Sequence, residues 1–195
     1  MFEVVGLIIF AYLLGSVPCG YVLGKIAGVD VRTVGSGNVG ATNVARAAGK
    51  SLGVLTLVFD AAKGFAAVIV AQKLAPSVTV VALAAIAAFL GHLYPVYLRF
   101  KGGKGVATGL GALLALAPMA TLVLVVVFAV VVGVSRIVSL GSIAAALATP
   151  LVLWFFQQPQ AIVCMGAFLG AMSIFRHRSN IRRLLTGGEP RFGSH

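Results

Sequence analysis

The chain has 195 residues, 60% of them hydrophobic and only 10% charged, with a mean hydropathy of +1.07. A soluble domain carries about 25% charged residues, so composition excludes one and points to an all-α polytopic membrane protein. Net charge is +11, and Glu3, Asp30, Asp60 and Glu189 are the four carboxylates, too few for a dedicated Mg²⁺ or Ca²⁺ cage.

A membrane-spanning helix needs about 20 apolar residues. Residues 4–23 supply the first, with Pro18 tolerated inside it and Gly20 and Gly24 spaced for close helix packing. The segment carries Glu3 and lacks a basic leader, so it is not a cleavable signal peptide. Residues 25–50 form a polar loop. Residues 51–74 and 78–98 are the second and third spans, the latter with His92 and Pro95 near its end. Residues 99–104, RFKGGK, make a basic turn.

Residues 105–134 are apolar throughout but broken by Pro118. Residues 140–156 and 161–175 are two further spans, separated by the polar turn Gln157-Gln158-Pro159-Gln160, and a basic tail runs over 176–191. Cys19 and Cys164 lie in apolar segments and read as small buried hydrophobes, not as a disulfide or zinc site. Residues 1–192 read as one domain, and Gly193-Ser194-His195 is set aside as a cloning remnant.

Charge placement sets the parity. Twelve of the 15 basic residues fall in the 25–50 loop, the 99–104 turn or the tail. By the positive-inside rule all three are cytoplasmic, which puts the N-terminus outside and the C-terminus inside. An even number of crossings must then separate the turn from the tail. Residues 105–134 therefore cross twice, as two short helices broken at Pro118, or not at all; two crossings also put Arg136 inside, as the rule wants, and give about seven transmembrane helices. No 20–50-residue repeat and no inverted symmetry of the transporter kind is visible.

Three polar segments carry the chemistry. The first is 34–46, VGSGNVGATNVAR, whose side chains are too small to pack a core. Gly35, Gly37 and Gly40 permit tight turns, whose successive N–H groups can form an anion-binding nest. Ser36, Asn38, Thr42 and Asn43 add donors, and Arg46 adds a forked cation suited to phosphate. The literal match to G-x-G-x-x-G is a false positive as a dinucleotide fingerprint, because no strand precedes it and no sheet exists.

The second segment, 101–105, pairs Gly102 and Gly103 with Lys104. It lacks the Ser or Thr after the lysine that a Walker A loop requires, and alone it would be only a positive-inside turn. Thr108 downstream favours a second anion contact. The third segment holds His177 and Asn180, which share a face if helical. An HxxxxD acyltransferase dyad is absent, since the matching position is Arg182.

Asp60 and Lys63 lie at i, i+3 in the second span. Ionisable residues there are functional candidates by default, with a structural ion pair the commoner case. His92 reads as interfacial. Ser139 and Ser142 fall on the cytoplasmic side, where Ser142 could reach a substrate, although serines that bond back to their own helix are commoner.

These residues resemble the bacterial acyl-phosphate:glycerol-3-phosphate acyltransferases. The likeness covers GSGNVGATN-AR at 35–46, KGGKG-AT at 101–108, HRSNIRRL--G-E at 177–189 and GSVPCGYVLGK at 15–25. The resemblance implies a multispan bacterial inner-membrane enzyme with its active site on the cytoplasmic side. It implies Ser36, Arg46, Lys104, His177 and Asn180 as catalytic residues. Gly35, Gly37, Asn38, Gly40, Thr42, Asn43, Gly102, Gly103 and Ser142 are the expected substrate contacts, and Glu189 is implied to support structure.

The implied substrates are a fatty acyl phosphate and glycerol-3-phosphate, and the implied product is lysophosphatidic acid. Membrane lipid and the soluble enzyme that forms acyl phosphate are the implied partners. No cofactor, metal or nucleic acid is expected. The hydroxyl proton has three candidate routes: His177, a substrate phosphate, or no protein base at all. The rival class is a transporter or channel for small phosphorylated anions, which would need polar groups lining a path through the membrane.

Overall fold

The computed structural model describes residues 2–191, and these are helical without a strand. Residues 193–195, set aside above, lie outside the described residues. The chain divides into two compact units, Met1–Ala115 and Leu116–His195.

The first unit opens with α1 (Phe2–Ser16) and α2 (Cys19–Ile26). The expected single span is broken where Pro18 lacks an N–H for the helical ladder. A loop leads to the short α3 (Ala41–Ala48), which ends because Gly49 takes φ +100. Then come α4 (Lys50–Leu74), α5 (Val78–Leu93), a single 3₁₀ turn at Val96–Leu98, and α6 (Val106–Leu116).

Small residues set the packing of this unit. A Cβ on Gly15 would fall on the Ala88 carbonyl, and one on Gly91 on the Tyr12 carbonyl, so α1 and α5 approach backbone to backbone. Gly64 of α4 lies against the Thr108 carbonyl, and Gly111 of α6 against that of Ala61. Between membrane helices, close approach of this kind is the main source of attraction.

The second unit contains α7 (Pro118–Ser135), α8 (Val138–Phe155), α9 (Gln160–Arg176) and α10 (Arg178–Leu185), with α8 packed between α7 and α9. The 105–134 stretch does split at the proline. Pro118 sits at the first helical position, where its fixed φ suits a start, and Ala117 before it is non-helical. The expectation of two short helices holds for only one of them. α7 has 18 residues, whereas α6 has 11, about 16 Å at 1.5 Å per residue.

Among the described residues, five segments are long and apolar enough to cross a membrane: Phe2–Ile26, Lys50–Leu74, Val78–Leu98, Pro118–Ser135 and Val138–Phe155. α6 and α9 are shorter apolar helices. Large apolar side chains such as Leu122, Val126 and Val130 face outward on α7, as a lipid-facing helix requires. The chain is an integral membrane protein.

Candidate active site

The first loop is held by its own side chains. Asn43, only 2% exposed, accepts from the Ser36 N–H (2.9 Å) and donates to the carbonyls of Val31 (2.8 Å) and Val34 (3.0 Å). Asn38 accepts from the Gly40 N–H at 2.8 Å, and the Gly37 N–H closes a turn onto the Val34 carbonyl. Gly35 and Gly37 take φ of +61 and +68, the left-handed region that costs other residues about 1–2 kcal/mol.

The loop also packs a core, contrary to the reading that its side chains are too small. Val39 and Val44 bury together with Val31 and Leu98. Each fully buried valine contributes about 2 kcal/mol. The sequence shows these valines but not that the loop folds back over them.

These contacts change which groups face an incoming anion. The N–H groups of Ser36, Gly37 and Gly40, expected as an anion nest, are engaged within the loop. The exposed polar groups that remain are the hydroxyls of Ser36 and Thr42, the Arg46 guanidinium and the N-terminus of α3. That N-terminus has no side-chain cap, so its first N–H groups and helix dipole suit an anion. Lys25 and Arg32 are turned away onto Asp30, at 3.2 and 2.7 Å. The Arg32 hydrogen bonds hold the Asp30 carboxyl well below the usual carboxylate range.

The second turn is held by backbone. The N–H of Gly102 donates to the Leu93 carbonyl (3.2 Å) and that of Gly103 to the His92 carbonyl (3.1 Å). A Cβ on Gly102 would fall on the His92 carbonyl, and one on Gly103 on the His92 ring. These glycines therefore serve close packing against the end of α5. The turn leaves Lys101 exposed and Lys104 half-buried.

In the second unit, His177 joins α9 to α10 and is 3% exposed. Its Nδ1 lies 2.8 Å from the Ser173 carbonyl. A carbonyl only accepts, so Nδ1 carries the proton and Nε2 is the basic nitrogen of the neutral ring. Asn180, also buried, donates to Glu189 Oε1 at 2.6 Å. Glu189 further accepts from Ser139 Oγ (2.6 Å) and Arg183 Nε (2.7 Å). Burial raises the Glu189 pKa, but these three donors outweigh it and hold the carboxyl below its ordinary value. Glu189 thus ties Ser139 of α8 to Asn180 and Arg183 of α10, a pairing with Ser139 that the sequence does not reveal. Ser142 donates back to the Val138 carbonyl at 3.0 Å.

A third cluster lies within the first unit. Asp60 and Lys63 form the anticipated ion pair at 2.8 Å. His92 is 6% exposed, with Nδ1 3.5 Å from the same Asp60 oxygen. Its position near the end of an apolar span was the available signal. Among the described residues, no three His, Cys, Asp or Glu side chains are grouped to hold a metal ion.

The family model described as glycerol-3-phosphate acyltransferase matches residues 5–187. A glycerol-3-phosphate acyltransferase of Syntrophotalea carbinolica is 52% identical over 189 residues, covering 95% of this chain and 96% of its own. One of Aquifex aeolicus is 48% identical over 187 residues, covering 95% and 97%. Two crystal structures of PlsY, an integral membrane glycerol 3-phosphate acyltransferase, superpose closely. Its glycerol 3-phosphate form gives a TM-score of 0.94 at 47% identity, covering 97% of this chain and 96% of that one. Its lysophosphatidic acid form gives 0.91 at 46%, covering 97% and 95%.

Proposed function

Since the chain belongs to the glycerol-3-phosphate acyltransferase family, we propose that it transfers a fatty acyl group from acyl phosphate to the 1-hydroxyl of glycerol-3-phosphate. The products are lysophosphatidic acid and phosphate. The observation that carries this reading is the 34–46 loop. Ser36, Thr42, Arg46 and an uncapped helix N-terminus remain exposed on a backbone that its own amides have already fixed. Such a surface suits a phosphate whose charge changes during reaction, because fixed donors need no reorganisation at the transition state.

In this reading the loop holds the donor phosphate, and Arg46 and Lys104 attract the phosphate of the acceptor. His177 and Asn180 are the residues of the second unit assigned to the acceptor, with Ser142 as a lesser contact. A mixed anhydride is already activated, and orienting the hydroxyl against its carbonyl supplies much of the remaining rate. The bond broken is the acyl C–O bond to phosphate, and the bond formed is the ester. The hydroxyl proton ends on the released phosphate, so the balance consumes no base. The excess of basic residues in three loops supports a cytoplasmic site at a bacterial plasma membrane. The acyl phosphate would come from a soluble acyl-phosphate-forming enzyme.

Purified protein given palmitoyl phosphate and glycerol-3-phosphate, with no other protein, is expected to form lysophosphatidic acid. Uptake of glycerol-3-phosphate into sealed vesicles without product would overturn the reading in favour of transport.

A further inference from the structure

Asp60, Lys63 and His92 lie outside the three polar segments of the proposed reaction, yet all three are only 2–6% exposed, and Asp60 and Lys63 place an ion pair inside an apolar helix. Burying charge is costly unless it is paired, so what the cluster touches is informative. Lys63 Nζ donates at 2.8 Å to the carbonyl of Val17, a group in the break between α1 and α2. Asp60 pairs with Lys63 on one side and faces His92 on the other. The His92 ring fills the space under Gly103, and its carbonyl takes the Gly103 N–H.

One face of α4 thus reads in order from one glycine turn to the other. The Thr56 methyl lies beside Gly20 of α2, and a Cβ on Gly20 would fall on the Val39 carbonyl of the first loop. Asp60 and Lys63 come one and two turns later. Gly64 then abuts the Thr108 carbonyl, just past the second turn. Leu98, next to the second turn, shares a core with Val39 and Val44 of the first. A small cleft is bounded by Val17, Gly20, Val39, Asp60, Lys63 and His92, so the cluster and the first loop border the same space.

We propose that Asp60, Lys63 and His92 are positioning residues that fix the two glycine turns of the first unit relative to each other. Lys63 acts on the first turn through the Val17 break and α2. His92 acts on the second through Gly102 and Gly103, and Asp60 joins the two. The proposal rests on the reading that the first turn serves the acyl phosphate and the second serves glycerol-3-phosphate.

The test measures KM for each substrate, with kcat, in detergent-purified variants. His92→Asn keeps a nitrogen near the Nδ1 position but removes the ring from under Gly103. It is expected to raise KM for glycerol-3-phosphate about tenfold, with KM for palmitoyl phosphate within twofold. The double variant Asp60→Asn/Lys63→Met removes both charges, leaves none unpaired and cuts the bond to Val17. It is expected to raise both KM values at least fivefold while eluting as a monodisperse protein.

A double variant with both KM values unchanged would mean that the cluster only balances charge, and would overturn the proposal. If the double variant does not fold, His92→Asn decides alone, and unchanged or equally raised KM values there overturn it. A wild-type protein that forms no lysophosphatidic acid overturns the functional reading itself, and is seen before any variant is compared.

Discussion

The first loop and the C-terminal segment are each organised by one side chain that collects three hydrogen bonds, but the two clamps differ in kind. Asn43 is neutral, accepting from one N–H and donating to two carbonyls. Glu189 is a carboxylate and only accepts, from Ser139, Asn180 and Arg183. The neutral clamp uses backbone groups alone, so it leaves the exposed hydroxyls and Arg46 of its segment facing outward. The charged clamp draws in Asn180 and Arg183. An amide can brace a loop that must present cations and donors to phosphate, because it adds no charge of its own. A carboxylate in that place would compete with the substrate for Arg46. At the tail the carboxylate sits among surplus arginines and offsets some of them.

Exchanging the two chemistries breaks the comparison most severely at Asn43. Asn43→Asp is nearly isosteric but turns a donor nitrogen into an oxygen facing the Val31 and Val34 carbonyls. Leaving buried polar groups unpaired costs about 1–3 kcal/mol each, and the loop must rearrange to relieve it. At least a hundredfold loss of kcat/KM is expected in the palmitoyl phosphate assay. Retention within threefold would mean that the amide does not brace the site.

The next largest effect separates backbone geometry from function. Gly37→Ala forces a side chain into φ +68 and brings a Cβ to 3.0 Å from the Arg32 carbonyl. Gly28→Ala forces one into φ +75 with nothing within 4 Å. Both carry the left-handed cost of about 1–2 kcal/mol, so their melting midpoints should fall by similar amounts. Only Gly37→Ala is expected to lose activity, by tenfold or more. Equal activity loss in both would assign the effect to general strain, not to the loop's shape.

Much of this arrangement was legible in the sequence because it rests on local signals. Apolar runs give the spans, Pro118 gives the split, and the excess of arginine and lysine marks the three polar segments. What was not legible depends on contacts across long separations. Ser36, Asn38, Thr42, Asn43 and Arg46 look alike as phosphate-friendly residues. Only the folded loop separates the two amides that face inward from the hydroxyls and the guanidinium that face outward. Gly102 and Gly103 read as anion donors, yet they are glycine because His92 occupies the space a Cβ would need. Nothing near His92 in sequence reveals Asp60, 32 positions earlier. By sequence alone Pro18 is tolerable within a span. Its consequence, an exposed Val17 carbonyl met by a buried lysine, appears only in three dimensions.

The smallest expected effect is the reverse exchange, Glu189→Gln, which gives the tail a neutral clamp like that of the first loop. The amide oxygen can still accept, and the change removes mainly the charge facing Arg183. The native carboxyl is held below its ordinary value. A carboxylate whose folded-state pKa is depressed contributes stability above its unfolded value, near 4.3, and loses it as pH falls through the folded value. The wild type should therefore melt above Glu189→Gln at pH 6 to 7, by about 2–4 °C for each kcal/mol in a chain of this size. That gap should close as the pH is lowered below about 4, because the wild-type carboxyl becomes neutral as well. A gap that stays constant from pH 7 to pH 3 would show that packing, not charge, holds Glu189 in place, and the two clamps would then be alike. Asn43 carries no titratable group, so Asn43→Ala, measured over the same pH range, should give a melting difference that does not change with pH.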